Sequence, residues 1–159
     1  MDEIWWLVAR NHPDKNFINS KNFLNRVKET KKIIDNSKIK VIVNKKFTEN
    51  ISSFINIERI TKTYKKKNFV WLMGADNLYN FHTWYNWKEI FNLLPIAIFN
   101  RPGYSNTSLA SKAAKKFAKN RFRETFSRKL SNVTPPAWIF FHGQLNYLES
   151  KILRKKNEK

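Results

Sequence analysis

An α/β fold built on a mostly parallel sheet is predicted by three features of the sequence. Short apolar runs rich in aromatic and β-branched residues recur along the chain, segments of helical periodicity separate them, and each run stops at a polar or turn-forming cluster. The length, 159 residues, is about that of one ordinary domain, so residues 1–159 are expected to form a single domain around one core.

The elements follow in order. Residues 4–9 (IWWLVA) form an unbroken apolar run ended by Arg10, Asn11, His12 and Pro13, which suits a strand buried on both faces. Residues 19–35 place Phe23, Val27, Ile33 and Ile34 at roughly helical spacing behind Asn19 or Ser20 as caps. Residues 39–43 (IKVIV) read as a second strand, and residues 51–64 as a helix on Phe54, Ile57, Ile60 and Thr61. A third strand, residues 69–73 (FVWLM), stops at Gly74-Ala75-Asp76; residues 78–94 carry a helical or turn-helix pattern rich in aromatics. Residues 95–99 (PIAIF) form a fourth strand that ends in Arg101-Pro102-Gly103-Tyr104. Residues 108–130 read as one basic amphipathic helix on Leu109, Ala113, Phe117 and Phe122, residues 137–141 (AWIFF) as a fifth strand, and residues 148–156 as a short basic helix. Strand and helix alternate, which is the pattern of parallel βαβ units.

Composition narrows the chemistry. With 42% hydrophobic and 15% aromatic residues the chain is too apolar for intrinsic disorder. Its apolar runs, such as residues 91–99, fall short of the ~20 residues a membrane span needs. No signal-peptide pattern follows Met1, and a cytoplasmic protein is expected. Zero cysteine excludes disulfides, thiolate zinc sites and cysteine nucleophiles, and three scattered histidines do not suggest a metal site. Only Gly74, Gly103 and Gly143 are glycines, so no GxGxxG or GxxxxGK phosphate loop is present. The net charge of +19 favours polyanionic partners, though a solvated basic surface is the commoner meaning of such a charge.

In open parallel sheets ligands sit outside the carboxyl ends of the strands. The residues that follow the expected strands are Arg10 to Lys15, Gly74 to Asp76, Arg101 to Tyr104, and His142-Gly143. A glycine at a strand end allows close approach of a ligand to the backbone, and Asp76 is an acceptor suited to ribose hydroxyls or, equally, to capping a helix. Arg101 to Tyr104 can be no more than a Pro-Gly turn.

Residues 69–78 (FVWLMGADNL) followed by residues 81–90 (FHTWYNWKEI) resemble the G-A-D-x-L-x-x-F-x-x-W-x-x-W-x-x-I core of the bacterial nicotinate mononucleotide adenylyltransferases. Three further pieces stand in that family's order: Trp5-Trp6-Leu7-Val8 leading to Pro13-Asp14-Lys15, then Arg101-Pro102-Gly103-Tyr104, then Pro135-Pro136-Ala137-Trp138. The resemblance covers essentially the whole chain and is nearest the α-proteobacterial branch. It implies a Rossmann-like nucleotidyltransferase fold. It further implies that Gly74 and Asp76 contact nucleotide ribose, that Trp84 stacks on the pyridine ring, and that the Tyr85 backbone holds the nicotinate carboxylate. An indole face against an electron-poor ring is chemically reasonable. Trp87 reads as core. Lys15, Ser53, Arg101 and Tyr104 match further substrate-side positions, and Ser150 and Arg154 match the family's C-terminal phosphate motif.

The sequence also departs from the family. The family opens with a strand and a G-x-F-D-P-x-H-x-G-H loop that holds and polarises the ATP phosphates. No His-x-Gly-His string occurs among these residues, so no catalytic residue is assigned, and Met1 aligns just before the family's second strand. The expectation is that the first strand and helix are missing, which would leave unpaired strand edges, and that this chain alone is inactive. The family's Y-T-x-D-T helix start corresponds to residues 52–56 (SSFIN), which keep only the Ser53 hydroxyl. Its S-S-T-x-I-R motif corresponds to residues 149–154 (ESKILR), where Glu149 would repel phosphate.

The implied activity is transfer of AMP from ATP to nicotinate mononucleotide, giving deamido-NAD and pyrophosphate, with Mg²⁺ accompanying ATP and no protein metal site. The expected partners are those two substrates, with no specific nucleic acid and no membrane. Two rival readings stay open: a basic nucleic-acid-binding protein, resting on the charge of residues 111–128, and a non-catalytic remnant of the same fold.

Overall fold

The computed structural model describes residues 2–8, 20–43 and 52–143. The expected terminal helix at residues 148–156 lies outside the described residues, as do Lys15, Ser150 and Arg154. The chain divides into two compact units, residues 1–67 with 84–93, and residues 68–83 with 94–159.

In the first unit, β1 (Ile4–Leu7) pairs in parallel with β2 (Ile39–Ile42), Ile4 opposite Ile39 and Leu7 opposite Ile42. The crossover between them contains α1 (Ser20–Ile33), as parallel pairing requires. The expectation that β1 is buried on both faces does not hold: Trp6 is 44% exposed, and β1 has no second strand partner among the described residues. Along α1, Phe23 and Val27 are half-buried while Ile33 is exposed. Ile33 and Ile34 cannot share a helix face, since successive residues lie ~100° apart, and Ile34 takes the sheltered position.

Glu3 joins three segments of this unit. Its carboxylate pairs with Lys40 of β2 and with Lys67 Nζ at 2.8 Å. Hydrogen bonds from Lys40, Lys67 and Trp5 lower its pKa to about 2. Trp5 meets Tyr64 edge to face at 4.8 Å between ring centroids, and Lys67 Nζ lies 5.7 Å from the Trp5 ring. The helix α2 (Ser53–Thr63) buries Ile57 and Ile60 on the face its periodicity predicts. Thr61, on the same stripe, satisfies its hydroxyl by donating back to the Ile57 carbonyl at 3.1 Å.

The second unit holds a four-stranded parallel sheet in the order β3-β4-β6-β5: β3 (Trp71–Gly74), β4 (Ile96–Phe99), β5 (Arg121–Phe122) and β6 (Trp138–Phe141). The inner strands are apolar throughout because both faces are covered. Ala97 and Ile139 pack with Leu130 and Ala137 on one face, with Val70, Leu72, Phe122, Phe126, Val133 and Phe141 around them. By alternation Ile96, Ile98, Trp138 and Phe140 face the other side, where the buried set continues with Leu78, Phe81, Ala113 and Phe117.

Of the two helical stretches expected between β3 and β6, residues 78–94 take the turn-helix form and residues 108–130 depart from the single helix expected. Residues 75–93 form α3 (Ala75–Asn80), a 3₁₀ turn (Phe81–Thr83) and, in the first unit against α2, α4 (Trp87–Leu93). Asn86 adopts φ 49°, a left-handed conformation that ends helical propagation and that Asn tolerates. Residues 108–130 are not one helix but α5 (Ser105–Leu109), α6 (Lys112–Lys116), a 3₁₀ turn (Ala118–Asn120), β5 and a 3₁₀ stretch (Glu124–Asn132). Ser111 restarts the helix by capping it, its Oγ accepting from Ala114 N–H at 3.3 Å. Trp138 Nε1 donates to the Phe117 carbonyl at 2.7 Å, beyond which the backbone enters the ladder with β6.

Candidate functional site

Gly74, Asp76, Arg101 and Tyr104 all belong to the second unit, at and beyond the carboxyl ends of β3 and β4. Gly74 is the N-cap of α3 with φ −80° and ψ 159°, an extended conformation open to any residue. What requires glycine here is space. A Cβ would stand 2.3 Å from Asp76 Oδ1 and 2.6 Å from Arg101 Nε. Asp76 is therefore not the helix cap; its carboxylate folds back over Gly74 and faces Arg101 Nε at 3.3 Å. Its place in the first turn of α3 also suits the partial positive charge there. Asp76 Oδ1 is shielded from solvent and accepts no hydrogen bond, the guanidinium contact lacking hydrogen-bond alignment.

The loop that delivers Arg101 is built by local chemistry. Asn100 N–H donates to the Phe141 carbonyl at 3.0 Å, and Ser105 Oγ donates to Asn100 Oδ1 at 2.6 Å. Tyr104 N–H donates to the Arg101 carbonyl at 3.1 Å, with Pro102 and Gly103 between them and Gly103 at φ 78°, the arrangement of a type II turn. The turn reading and the site reading of this tetrapeptide are thus compatible. Sequence reasoning missed Asn100 and Ser105, which carry no signal beyond being polar loop residues.

Ser53, Trp84 and Tyr85 belong to the first unit. Ser53 opens α2, and Tyr85, 62% exposed, meets Phe54 edge to face at 6.0 Å. Trp84 is half-buried. Trp87, expected in the core, is half-buried too, with Lys88 Nζ 5.8 Å from its ring.

His142, at the end of β6, is held by a residue the sequence did not point to. Glu124 Oε1 accepts from His142 N–H at 3.0 Å and lies 2.5 Å from its Nδ1, so the carboxylate favours the tautomer protonated there. These bonds hold the Glu124 carboxyl below the usual carboxylate range. The pair borders an open cavity of about 330 Å³ with Arg121, Arg123 and Phe140. A second open cavity, of about 630 Å³, lies between β1 and α1 in the first unit. Neither contains a residue that the sequence had singled out as binding substrate or nucleotide. Among the described residues no group of three His, Cys, Asp or Glu side chains could hold a metal ion.

A parallel sheet with an acidic residue just past one strand end and a basic turn past the next is the frame of a Rossmann-like nucleotidyltransferase, and the cytidylyltransferase-like family profile matches residues 1–153. The chain belongs to this family and, within it, to the nicotinate-nucleotide adenylyltransferases. It is 34% identical over 155 residues to the probable nicotinate-nucleotide adenylyltransferase of Brucella suis biovar 1 (strain 1330), covering 98% of this chain and 80% of that protein. It is 32% identical over 162 residues to the enzyme of the same name from Agrobacterium fabrum (strain C58 / ATCC 33970), covering 99% and 84%. Among solved structures, the Plasmodium falciparum nicotinic acid mononucleotide adenylyltransferase complexed with NaAD matches with TM-score 0.55 at 16% identity, over 96% of this chain and 64% of that one. The same enzyme complexed with APC matches with TM-score 0.52 at 14% identity, over 96% and 63%. The chain thus spans a little under two thirds of those solved chains, and the likeness shows the fold.

Proposed function

We propose that this chain serves the transfer of AMP from ATP to nicotinate mononucleotide, giving deamido-NAD and pyrophosphate in NAD biosynthesis in the cytoplasm, as one nucleotidyltransferase domain over residues 1–159. The observation that carries the reading is the convergence of Asp76 and Arg101 over Gly74 at the carboxyl end of β3, inside the residues 1–153 that the family profile matches. A phosphate oxygen of the mononucleotide attacks the ATP α-phosphorus in line; the new P–O bond forms as the bond to pyrophosphate breaks. The work is positioning and charge stabilisation, without a covalent enzyme intermediate.

In this reading Asp76 and Gly74 receive nucleotide ribose. Trp84 stacks on the pyridine ring, and the Tyr85 backbone meets the nicotinate carboxylate. Ser53, Lys15, Arg101 and Tyr104 serve the mononucleotide, and Ser150 and Arg154 the ATP phosphates. Mg²⁺ would accompany ATP and would supply neutralisation of phosphate charge. Among the described residues no group of three His, Cys, Asp or Glu side chains is arranged to hold it.

Calorimetric titration tests the reading. Saturable binding of nicotinate mononucleotide and of ATP is expected. Binding of neither, together with nucleic-acid affinity that falls steeply with salt, would replace it with the basic-binder reading. With no His-x-Gly-His string present, pyrophosphate release dependent on the mononucleotide is expected at background for these 159 residues. Appreciable release would show that other groups polarise the ATP phosphates.

A further inference from the structure

We propose that the cavity at the carboxyl ends of β5 and β6 is a binding site for a tetrahedral oxyanion, a phosphate or sulfate group, held by Arg121, Arg123 and the protonated imidazole of His142. The sheet order β3-β4-β6-β5 puts these two strand ends at the edge opposite β3 and Asp76, so the site goes beyond the adenylyl-transfer reading and does not rest on it. Ligands of parallel sheets gather outside the carboxyl ends of the strands. Here β5 ends at Phe122 and runs into Arg123 and Glu124, while β6 ends at Phe141 and runs into His142. Arg121, Arg123, Glu124 and His142 line one open cavity of about 330 Å³ together with Phe122 and Phe140. That volume stands at the small end of the range for ligand sites and suits a small anionic molecule.

Charge in the cavity favours an anion because its one carboxylate is already committed. Glu124 Oε1 accepts from the His142 N–H at 3.0 Å and lies 2.5 Å from His142 Nδ1. Among the described residues neither Arg121 nor Arg123 has a carboxylate within ion-pair distance. Arg121 is held in place by aromatic rings: its Cζ lies 5.4 Å from the Trp138 ring centre and 5.8 Å from that of Phe140, an attraction that consumes no acceptor. The His142 ring lies 4.9 Å from the same Phe140 ring, so both groups gather on one buried side chain. With Nδ1 turned to Glu124, Nε2 is the ring nitrogen left for a ligand, on a side chain that is 53% exposed. A neutral imidazole in that tautomer presents a lone pair, which repels an oxyanion; a protonated one donates. The charged groups that face the ring are Arg121 from β5 and Arg123 and Glu124 from the stretch after it. Glu124, its carboxyl held below the usual range by the His142 bonds, stays ionised around neutral pH and supports the imidazolium. An oxyanion bound among these groups favours the charged ring as well, so binding takes up a proton at Nε2.

The test titrates sulfate, whose own charge is constant near neutral pH, into the whole chain by calorimetry at fixed ionic strength. Saturable binding is expected, about tenfold tighter at about pH 5.5 than at about pH 7.5, because an ordinary imidazole passes from mostly charged to mostly neutral in that interval. His142→Gln should remove the pH dependence. Arg123→Gln should weaken sulfate about 5- to 10-fold at both pH values, less than a buried charged contact would lose because the cavity is open to solvent. Glu124→Gln separates a built site from a basic surface. On a bare basic surface, loss of a carboxylate strengthens anion binding; here it is expected to weaken sulfate about threefold or more at about pH 6.5, because the imidazolium loses the group that holds it. Thermal melting confirms that each variant folds, and the wild-type pH dependence stands as a test where one does not. Phenyl phosphate and inorganic phosphate then separate the two sources of the anion: tighter binding of the ester shows a phosphomonoester whose body rests on Phe122, and equal binding shows the free ion. Sulfate binding that does not saturate, that is independent of pH in the wild-type chain, or that strengthens in Glu124→Gln would overturn the proposal.

Discussion

Replacing Gly74 with Ala separates a binding role for the Gly74–Asp76–Arg101 cluster from a structural one. Its backbone, at φ −80° and ψ 159°, is open to alanine, so the substitution carries no conformational penalty, and the loss of unfolded-chain freedom favours alanine by ~0.4–1 kcal/mol. Against this, the new methyl group would displace Asp76 Oδ1 and Arg101 Nε, both near the ends of side chains that can turn toward solvent. Losing a solvent-accessible ion pair costs about 0–1 kcal/mol. The two effects nearly cancel, and the melting temperature should stay within ~2–4 °C of wild type, the shift that 1 kcal/mol produces in a chain of this size. Nucleotide binding should not be spared: a ribose hydroxyl that loses its charged acceptor forfeits ~1.5–3 kcal/mol, which is about 10- to 150-fold in the dissociation constant. Calorimetric titration with ATP and a thermal melt on one preparation measure both. A fall of more than ~10 °C with unchanged ATP affinity would refute the reasoning, since the cluster would then be packing alone.

Trp84→Ala should weaken nicotinate mononucleotide about 5- to 150-fold by removing a stacking partner worth ~1–3 kcal/mol, with ATP nearly unaffected; a lowered melting temperature with unchanged mononucleotide affinity would place Trp84 in the packing instead. For Glu3 the folded pKa of about 2 lies below the ordinary 4.5, so the folded chain binds fewer protons in that interval. The stability Glu3 contributes is whole above about pH 4.5 and is lost as pH falls through about 2. Melting temperatures of wild type and Glu3→Gln should therefore converge across that window, and a gap unchanged at pH 2 would count against the three-way tie. Trp138→Phe removes the 2.7 Å bond to the Phe117 carbonyl inside the second unit. An unmade buried bond costs ~1–3 kcal/mol, and the lower end applies because Asn120 N–H also donates to that oxygen at 3.0 Å. A melting temperature lower by ~2–6 °C is the expected reading, and no change would mean the bond does not hold the break in the helix.

The broken helix at residues 108–130 shows which parts of the fold lay beyond sequence reasoning. The strands β3, β4 and β6 fall within two residues of the apolar runs that predict them, because a strand buried on both faces has no option but continuous apolar sequence. In residues 108–130, by contrast, the spacing of Ala113, Phe117, Phe122, Phe126 and Leu130 suits a helix about as well as it suits what forms. The decision is made by groups far along the chain: Trp138, which takes the Phe117 carbonyl from 21 residues away, and the edge of β6, to which Arg121 and Phe122 pair. A two-residue strand that begins with arginine leaves no period to read. In β1 the run IWWLVA is read correctly as a strand but wrongly as covered on both sides, since apolarity states what a strand prefers to touch and not which neighbour it has.

Charge placement explains why the candidate site was only half legible. Against 31 basic residues the chain has 12 acidic ones, so the surface field attracts any phosphate and gives little selectivity among phosphates. Under that field a carboxylate is informative by what holds it. Glu29 and Glu58 pair with lysines one helical turn away, an arrangement readable from spacing and worth little on an exposed face. Glu3, Glu124 and Asp76 instead meet Lys40 and Lys67, His142 and Arg101, partners that only the fold brings near. Of these three, Asp76 alone keeps its inner oxygen unbonded while sitting at a strand's carboxyl end beside a glycine that nothing larger can replace without moving it. Selectivity for a nucleotide over other anions must come from an acceptor, because donors and cations are everywhere on this chain. Salt should therefore weaken ATP and inorganic triphosphate alike, whereas the preference for an intact ribose, carried by a hydrogen bond and not by the long-range field, should persist as salt is raised.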